Sequence, residues 1–154
     1  MGATDVKNPS DKRKIKAIPT NIDGIAFKSK LEAYCYLQLK ENKIKAKYEG
    51  KTFVVFPAFS YRGDKIQQIT YTPDFVGKDF IIECKGWKNE SFPLRWKMFR
   101  YMLLEKKMDY DVYLPRSPKD VDKVIGKILN KKNVSTRGIK KQIQRYKQLI
   151  AGLV

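Results

Sequence analysis

Histidine is missing from this 154-residue chain, and cysteine occurs only twice. The absence of histidine excludes Ser-His and Cys-His nucleophilic catalysis and most zinc sites. Cys35 and Cys84 are far apart in sequence and form no CxxC pair, so we expect two reduced, buried thiols. The sequence also has no Walker A glycine loop. Any catalysis must therefore use carboxylates, lysines, tyrosines and a hard metal ion.

Acidic residues are scarce. The chain has 16 Asp and Glu against 33 Lys and Arg, a net charge of +17. A charge of this size opposes compaction by self-repulsion, which indicates a polyanionic partner. Nucleic acid is the first candidate and an anionic membrane surface the second. No apolar run approaches the roughly 20 residues that span a bilayer, and the N-terminus has no signal-peptide core. We therefore expect a soluble, cytoplasmic protein that does not enter a membrane.

The pattern of apolar residues predicts alternating helices and strands. Helices are expected at residues 29–43 and 94–107, from residue 117 onward, and again after a polar break at 130–138. Strands are expected at residues 48–59, 66–72, 79–85 and 110–114, with a turn at 61–65. A strand that follows a helix in this way should lie parallel to one of the earlier strands. The expected fold is α/β, a mixed twisted sheet of four to five strands flanked by helices.

Three regions differ in composition. Residues 1–20 read as a basic flexible arm, and residues 21–115 read as the core. Residues 116–154 read as basic C-terminal helices that pack on the core or form a dimer or DNA-binding element. No Asp or Glu occurs after Asp122, whereas Lys and Arg continue to Lys147. A basic face without alternating acids is suited to phosphate contact, although a solvated surface would have the same composition.

The densest group of chemically useful residues lies between Tyr71 and Gly86. A turn at residues 76–78 would form a hairpin that brings Asp74 beside Glu83. Because strand side chains alternate, Glu83 and Lys85 should point to one face, and Ile82 and Cys84 to the other. Two carboxylates repel unless a positive charge lies between them. A divalent cation bound by oxygen atoms satisfies this requirement.

Glu32 has two possible roles. It stands three residues after Ser29 in Ser-Lys-Leu-Glu, the spacing of a helix capping box. It is also a candidate metal ligand or supporting carboxylate. The spacing alone favours the capping role.

Pro73-Asp74 followed by Glu83-Cys84-Lys85 resembles the motif of the PD-(D/E)xK nuclease superfamily. The sequence of this segment is similar to that of phage endonuclease I-type Holliday-junction resolvases and of small phage nucleases. The resemblance spans residues 29–114, and Glu32 corresponds to an acid on the first core helix of many members. This resemblance favours a metal-binding or metal-supporting role for Glu32 over the capping role.

The resemblance implies a restriction-endonuclease-like core and a Mg²⁺-dependent endodeoxyribonuclease, with Mn²⁺ as a substitute. The catalytic residues would be Glu32, Asp74, Glu83 and Lys85. The metal ligands would be Asp74, Glu83, the backbone carbonyl of Cys84, and Glu32. The substrate would be branched DNA such as a Holliday junction, in phage recombination or DNA processing. A phage-encoded protein would work in the host cell cytoplasm, and two symmetric cuts imply a homodimer.

Eight basic residues are candidates for DNA contact: Lys12, Arg13, Lys14, Lys88, Arg95, Lys140, Lys141 and Arg145. Two other functions stay open. The same core could serve a sequence- or strand-specific nickase, or the cutting subunit of a transposase or terminase system. It could also be a non-catalytic DNA-binding module, although every charged position of the motif is filled.

Overall fold

The computed structural model describes residues 20–85 and 91–151, which form ten short strands and three helices. The strands are β1 (Thr20–Ile22), β2 (Ile25–Phe27), β3 (Ala46–Tyr48), β4 (Phe53–Phe56), β5 (Phe59–Tyr61), β6 (Asp64–Ile66), β7 (Ile69–Tyr71), β8 (Phe75–Gly77), β9 (Phe80–Ile82) and β10 (Asp111–Tyr113). The helices are α1 (Lys30–Glu41), α2 (Phe92–Glu105) and α3 (Pro118–Ala151). The predicted α/β class is confirmed.

The central sheet has four strands in the order β10-β9-β8-β3. β9 pairs with β10 in parallel and with β8 antiparallel, and β8 pairs antiparallel with β3. The sheet is therefore mixed, as predicted, and the strand after α2 lies parallel to one hairpin strand. The hairpin turn falls at Lys78–Asp79 rather than at 76–78, because β8 continues to Gly77.

β9 separates two apolar clusters. Phe80 and Ile82 pack in an apolar cluster with residues of α1 and the first turns of α3, which we call the α1 cluster. Ile81 packs on the opposite side, with Phe99 of α2 and Phe53 of β4. All three β9 residues are buried, as expected for a strand covered on both faces. This central position fixes the residues that follow β9.

α1 begins at a capping box and ends in a left-handed turn. Ser29 accepts the backbone N–H of Glu32 at 3.1 Å and is the N-cap. Asn42 caps the other end, and Lys43 has φ 54°. The predicted helix at 29–43 is thus confirmed within a residue or two. α2 begins and ends two residues earlier than predicted.

The single strand predicted at residues 48–59 is wrong, because the segment contains the end of β3, all of β4 and the start of β5. The chain leaves the central sheet after Tyr48, where Glu49 has φ 46°. It resumes as β4, which pairs with β7. The strand predicted at 66–72 is likewise divided between β6 and β7. The left-handed Glu49 redirects the backbone before the apolar run begins, and the run itself forms β4 without a break.

β4 to β7 form one long antiparallel hairpin with two ladders. The root pairs Phe53 with Tyr71, and the outer ladder pairs Phe59 with Ile66. The turn lies at Arg62 and Gly63, inside the segment predicted for it, and both have positive φ. Two consecutive left-handed residues are typical of a type I′ turn, whose twist matches that of the flanking strands.

The polar break predicted at residues 130–138 is also wrong, because α3 runs without interruption. Lys, Asn, Ser and Thr in a helix cost only about 0.7 kcal/mol or less each, whereas a break usually requires proline or a glycine turn. A capping box starts the helix: the Asp120 N–H donates to Ser117 Oγ at 3.2 Å, and the Ser117 hydroxyl donates to Asp120 at 2.9 Å. The predicted C-terminal helices are therefore a single helix.

Within the described ranges, no helix combines the length and apolar composition that a bilayer crossing requires. The predicted basic arm at residues 1–20 lies outside the described residues, apart from Thr20. The loop residues 86–90 are likewise outside them.

The two halves of α3 should contribute unequally to stability. Ile125 is 4% exposed and packs in the α1 cluster, whereas Ile143 is 50% exposed. We expect Ile125→Ala to lower the free energy of unfolding by about 2–5 kcal/mol. The matched Ile143→Ala should change it by less than about 0.5 kcal/mol. Urea denaturation measures both, and equal losses would contradict this placement of the core.

Candidate active site

The site predicted from the sequence lies at the end of the β8–β9 hairpin. Phe75 is paired with Ile82, and Val76 with Ile81. Continuing this register by one residue brings Asp74 opposite Glu83. The parallel ladder also continues beyond β9, because Glu83 N–H donates to the Tyr113 carbonyl at 3.0 Å and Lys85 N–H donates to the Pro115 carbonyl at 2.9 Å. The motif residues therefore lie on extended, hydrogen-bonded backbone.

Side chains along this extension alternate between the two apolar clusters. Cys84 continues the face of Ile82 and is buried in the α1 cluster. Glu83 and Lys85 continue the face of Ile81, toward α2. The Lys85 Nζ lies 4.3 Å from the centre of the Phe92 ring, a cation–π contact. The alternation expected from the sequence is thus present.

Asp74 is held by the hairpin backbone. The Cys84 N–H donates to Asp74 Oδ2 at 2.7 Å, and the Glu49 N–H donates to the Asp74 carbonyl at 2.7 Å. Burial raises the pKa of Asp74 to about 8, and the charges of Glu83 and Glu32 add to this shift. The Cys84 N–H and Lys85 oppose it without cancelling it. The Asp74 carboxyl therefore has too little positive charge nearby to stabilise its ionised form.

The Glu83 carboxyl likewise has too little positive charge nearby to stabilise its ionised form. Its side chain is 8% exposed, and burial raises its pKa despite the opposing effects of Tyr71 and Lys85. Among the described residues, neither Glu83 Oε2 nor the Tyr71 hydroxyl has a hydrogen-bond partner of normal geometry, although the two side chains are close enough for a weaker hydrogen-bonding interaction that shifts the pKa of each. A buried acceptor without a partner is costly. This oxygen could instead bind a cation.

Glu32 takes part in a network of its own. Its carboxylate accepts hydrogen bonds from the Ser29 hydroxyl at 2.9 Å, the Lys28 N–H at 3.1 Å and the Tyr48 hydroxyl at 2.7 Å. The capping box predicted from spacing is therefore formed. Glu32 is buried, and its charge still contributes to the raised pKa of Asp74. It lies within electrostatic range of the pair, with its own oxygens already hydrogen-bonded.

A cleft of about 390 Å³ opens beside Glu83 and Lys85. Three of its lining residues are cationic, Lys28, Lys85 and Arg95, and two are acidic, Glu49 and Glu83. Lys28 is ion-paired with Glu49, and the Arg95 Nη2 donates to the Thr70 carbonyl at 2.5 Å. The Arg95 guanidinium retains further N–H donors. The cleft thus combines one buried carboxylate with cations suited to phosphate oxygens.

The metal-ligand set predicted from the sequence is not assembled as a closed cage. Within residues 20–85 and 91–151, no group of three or more acidic or cysteine side chains has the geometry of a metal site. The structure brings Asp74 and Glu83 together, whereas Glu32 remains in its capping network.

Of the eight predicted DNA contacts, Arg95 lines the cleft. Lys140, Lys141 and Arg145 are exposed on the outer half of α3. Lys12, Arg13, Lys14 and Lys88 lie outside the described residues.

Sequence reasoning missed Tyr48, Lys28 and Phe92. Tyr48 hydrogen-bonds Glu32 across 16 residues, and Phe92 lies under Lys85. Neither contact has a signal in local spacing, because each depends on how separate elements pack. The position of Lys28, directly before the cap residue Ser29, was the one available hint. Tyr71 stacks on Phe99, with 4.7 Å between the ring centres.

Comparison with known proteins identifies a family. A family model described as "Protein of unknown function (DUF1064)" matches residues 12–122. No curated protein and no solved structure matches this chain. The matched segment contains Glu32, Asp74, Glu83 and Lys85, and it ends near the start of α3. Because it covers well over half of the sequence, the chain belongs to the DUF1064 family.

Proposed function

We propose that this protein is a metal-dependent DNA endonuclease that hydrolyses phosphodiester bonds, and that Asp74, Glu83 and Lys85 form its catalytic site. The observation that carries the proposal is the opposed pair of the half-buried Asp74 and the buried Glu83, both with raised pKa values. Glu83 and Lys85 line a cleft that also contains Lys28 and Arg95. Strongly perturbed carboxylates in a cleft are typical of functional sites. A structural ion pair would instead depress the pKa of its acid.

The order of elements supports a restriction-endonuclease-like core. A helix that contains Glu32 precedes the hairpin that contains Asp74 and Glu83, and a helix and a parallel strand follow it. This is the order that the PD-(D/E)xK resemblance implies.

The chemistry of the donor set fits a hard divalent cation. Carboxylate oxygens are the ligands that Mg²⁺ prefers, and Glu83 Oε2 has no hydrogen-bond partner of normal geometry among the described residues. We propose Asp74, Glu83 and the Cys84 carbonyl as ligands, with Glu32 as a supporting carboxylate and Mn²⁺ as a substitute. A bound Mg²⁺ would lower the pKa of a water and stabilise charge on the scissile phosphate.

Lys85 supplies a fixed positive charge next to the carboxylate pair. Its position over Phe92 limits its freedom, so its ammonium is preorganised for charge that develops on the phosphate. Arg95 and Lys28 would bind the neighbouring phosphates of the same strand. Groups that bind and orient DNA in this way contribute to catalysis by positioning.

The charge distribution supports DNA as the substrate. The outer half of α3 exposes Lys140, Lys141 and Arg145 with no acid on the same segment. Phosphate contacts of this kind should make binding fall steeply with salt. The preference for branched DNA and the homodimer stay predictions.

Removing the charge of the site should abolish cleavage and leave DNA binding in place. We expect Glu83→Gln, Asp74→Asn and Lys85→Ala each to lower the cleavage rate at least roughly 100-fold, because each removes positioned charge. The assay is Mg²⁺-dependent cutting of a labelled four-way junction and of linear duplex with the same sequence. Chelator should stop cutting of both, and faster cutting of the junction would support structure selectivity.

Asp79→Asn is the matched control for this series. Asp79 lies at the opposite end of β9, where its carboxylate is 3.9 Å from the Lys131 ammonium. Its loss should leave the cleavage rate within about twofold of wild type. Wild-type cutting by Glu83→Gln, or cutting that persists in chelator, would refute the proposed mechanism.

The raised pKa of Asp74 predicts a pH-dependent stability. The ordinary pKa is 3.8 and the folded value is about 8, so between these values the folded chain holds a proton that the unfolded chain has released. The free energy of unfolding of the metal-free protein should therefore fall as the pH rises through this window. Asp74→Asn removes the titrating group, so it should become more stable relative to wild type as the pH rises.

Thermal unfolding with and without Mg²⁺ measures this effect without any activity assay. Since the cation binds the ionised pair, Mg²⁺ should raise the melting temperature more at pH 8.5 than at pH 6. The shift should disappear in Asp74→Asn and persist in Asp79→Asn. An equal Mg²⁺ shift in Asp74→Asn would exclude Asp74 as a ligand.

A further inference from the structure

The outer part of the β4–β7 hairpin exposes an apolar surface. Every residue from 56 to 69 is exposed. Five of these residues are large and apolar: Phe56, Phe59, Tyr61, Ile66 and Ile69, each 39–58% exposed. Clustered exposed apolar side chains on a monomer usually mark an interaction site.

These five side chains share one face of the hairpin. Phe59 is paired with Ile66, and Phe56 with Ile69. The rings of Phe56 and Phe59 are in contact, 5.7 Å between centres. Tyr61 lies two residues beyond Phe59 on the same strand and thus on the same face. We call this surface, residues Phe56, Phe59, Tyr61, Ile66 and Ile69, the hairpin face.

The hairpin face is connected directly to the cleft. β7 runs from Ile69 to Tyr71, and Thr70, Tyr71 and Thr72 line the cleft beside Glu83. Arg95 fixes this junction by its hydrogen bond to the Thr70 carbonyl. A DNA strand bound in the cleft would therefore continue along the hairpin.

The charges at the hairpin tip are mixed. The Arg62 guanidinium lies 5.5 Å from the centre of the Tyr61 ring, whereas the register places Asp64 opposite Tyr61 on the hairpin face and Lys65 opposite Ser60 on the other face. An aromatic ring with an arginine beside it can stack an unpaired base and contact its phosphate. A continuous duplex offers only base edges, whereas unpaired bases expose the flat faces that stack on rings.

We propose that the hairpin face binds unpaired bases of the DNA strand adjacent to the scissile phosphate. The inference rests on the proposed function for the location of that phosphate, and it narrows the substrate to DNA with an unpaired segment. A second copy of the chain is a poorer occupant. The five side chains expose on the order of 400–500 Å², about half of the roughly 800 Å² per partner in a stable interface.

The test measures binding of the wild-type chain and its variants in chelator, so that no cleavage is needed. The probe is a duplex with a single-stranded tail that contains 2-aminopurine at successive positions, compared with a fully paired duplex of the same length. Tyr61→Ala and Phe59→Ala should each weaken binding of the tailed DNA about 5- to 150-fold. Binding of the paired duplex should stay within about twofold, and the 2-aminopurine signal of wild type should be lost.

Three variants serve as controls. Tyr61→Phe keeps the ring and should retain tail binding and the fluorescence change. Ser60→Ala alters the other face of the same strand, and Leu104→Ala removes an exposed apolar side chain from α2; both should bind like wild type. Urea denaturation confirms that each variant is folded.

Equal losses on tailed and paired DNA, or unchanged binding by Tyr61→Ala, would overturn the proposal. So would self-association of wild type that Tyr61→Ala abolishes without any change in DNA binding. Failure of the chain to cleave in Mg²⁺ would count against the nuclease alone, because these measurements contain no metal. Conversely, a catalytically active chain with unchanged tail binding in Tyr61→Ala would refute only the hairpin proposal.

Discussion

Two carboxylates, the half-buried Asp74 and the buried Glu83, lie opposite each other with too little positive charge to neutralise them. Burial raises the pKa of both groups, and Lys85 offsets the effect only in part. Glu83 Oε2 has no hydrogen-bond partner within the described part of the chain. Such an arrangement destabilises the folded state unless it is protonated or binds a cation. A costly arrangement of this kind is expected where function requires it.

The rest of the fold holds this pair in place. β9 lies between two apolar clusters, so its extension carries Glu83 and Lys85 toward α2 and Cys84 toward α1. In the same extension, the Cys84 N–H donates a hydrogen bond to the Asp74 carboxylate. α2 supplies Arg95 and Phe92 to the cleft, and β7 connects the cleft to the exposed hairpin. A strand covered on both faces is a rigid support, which a site requires if its charged side chains are to keep their positions.

The sequence predicted features that depend on local order and missed those that depend on packing. The alternation of Ile82, Glu83, Cys84 and Lys85 follows from strand geometry alone, and the capping box at Ser29 follows from spacing. The division of residues 48–59 depends on the left-handed Glu49, a conformation that its residue type does not favour. α3 continues through 130–138 because polar residues cost a helix little, so polarity alone does not predict a break. The exposure of Phe56 and Phe59 has no signal in the sequence, since apolar residues look alike there whether or not they are covered.

Anomalous diffraction from Mn²⁺-loaded crystals would locate a cation at Asp74 and Glu83 without reference to activity. We expect a manganese peak between these two carboxylates in the wild-type chain, and no peak there in Glu83→Gln. An ion bound elsewhere, or a Lys85 ammonium that occupies the position between the two carboxylates at saturating Mn²⁺, would contradict this expectation.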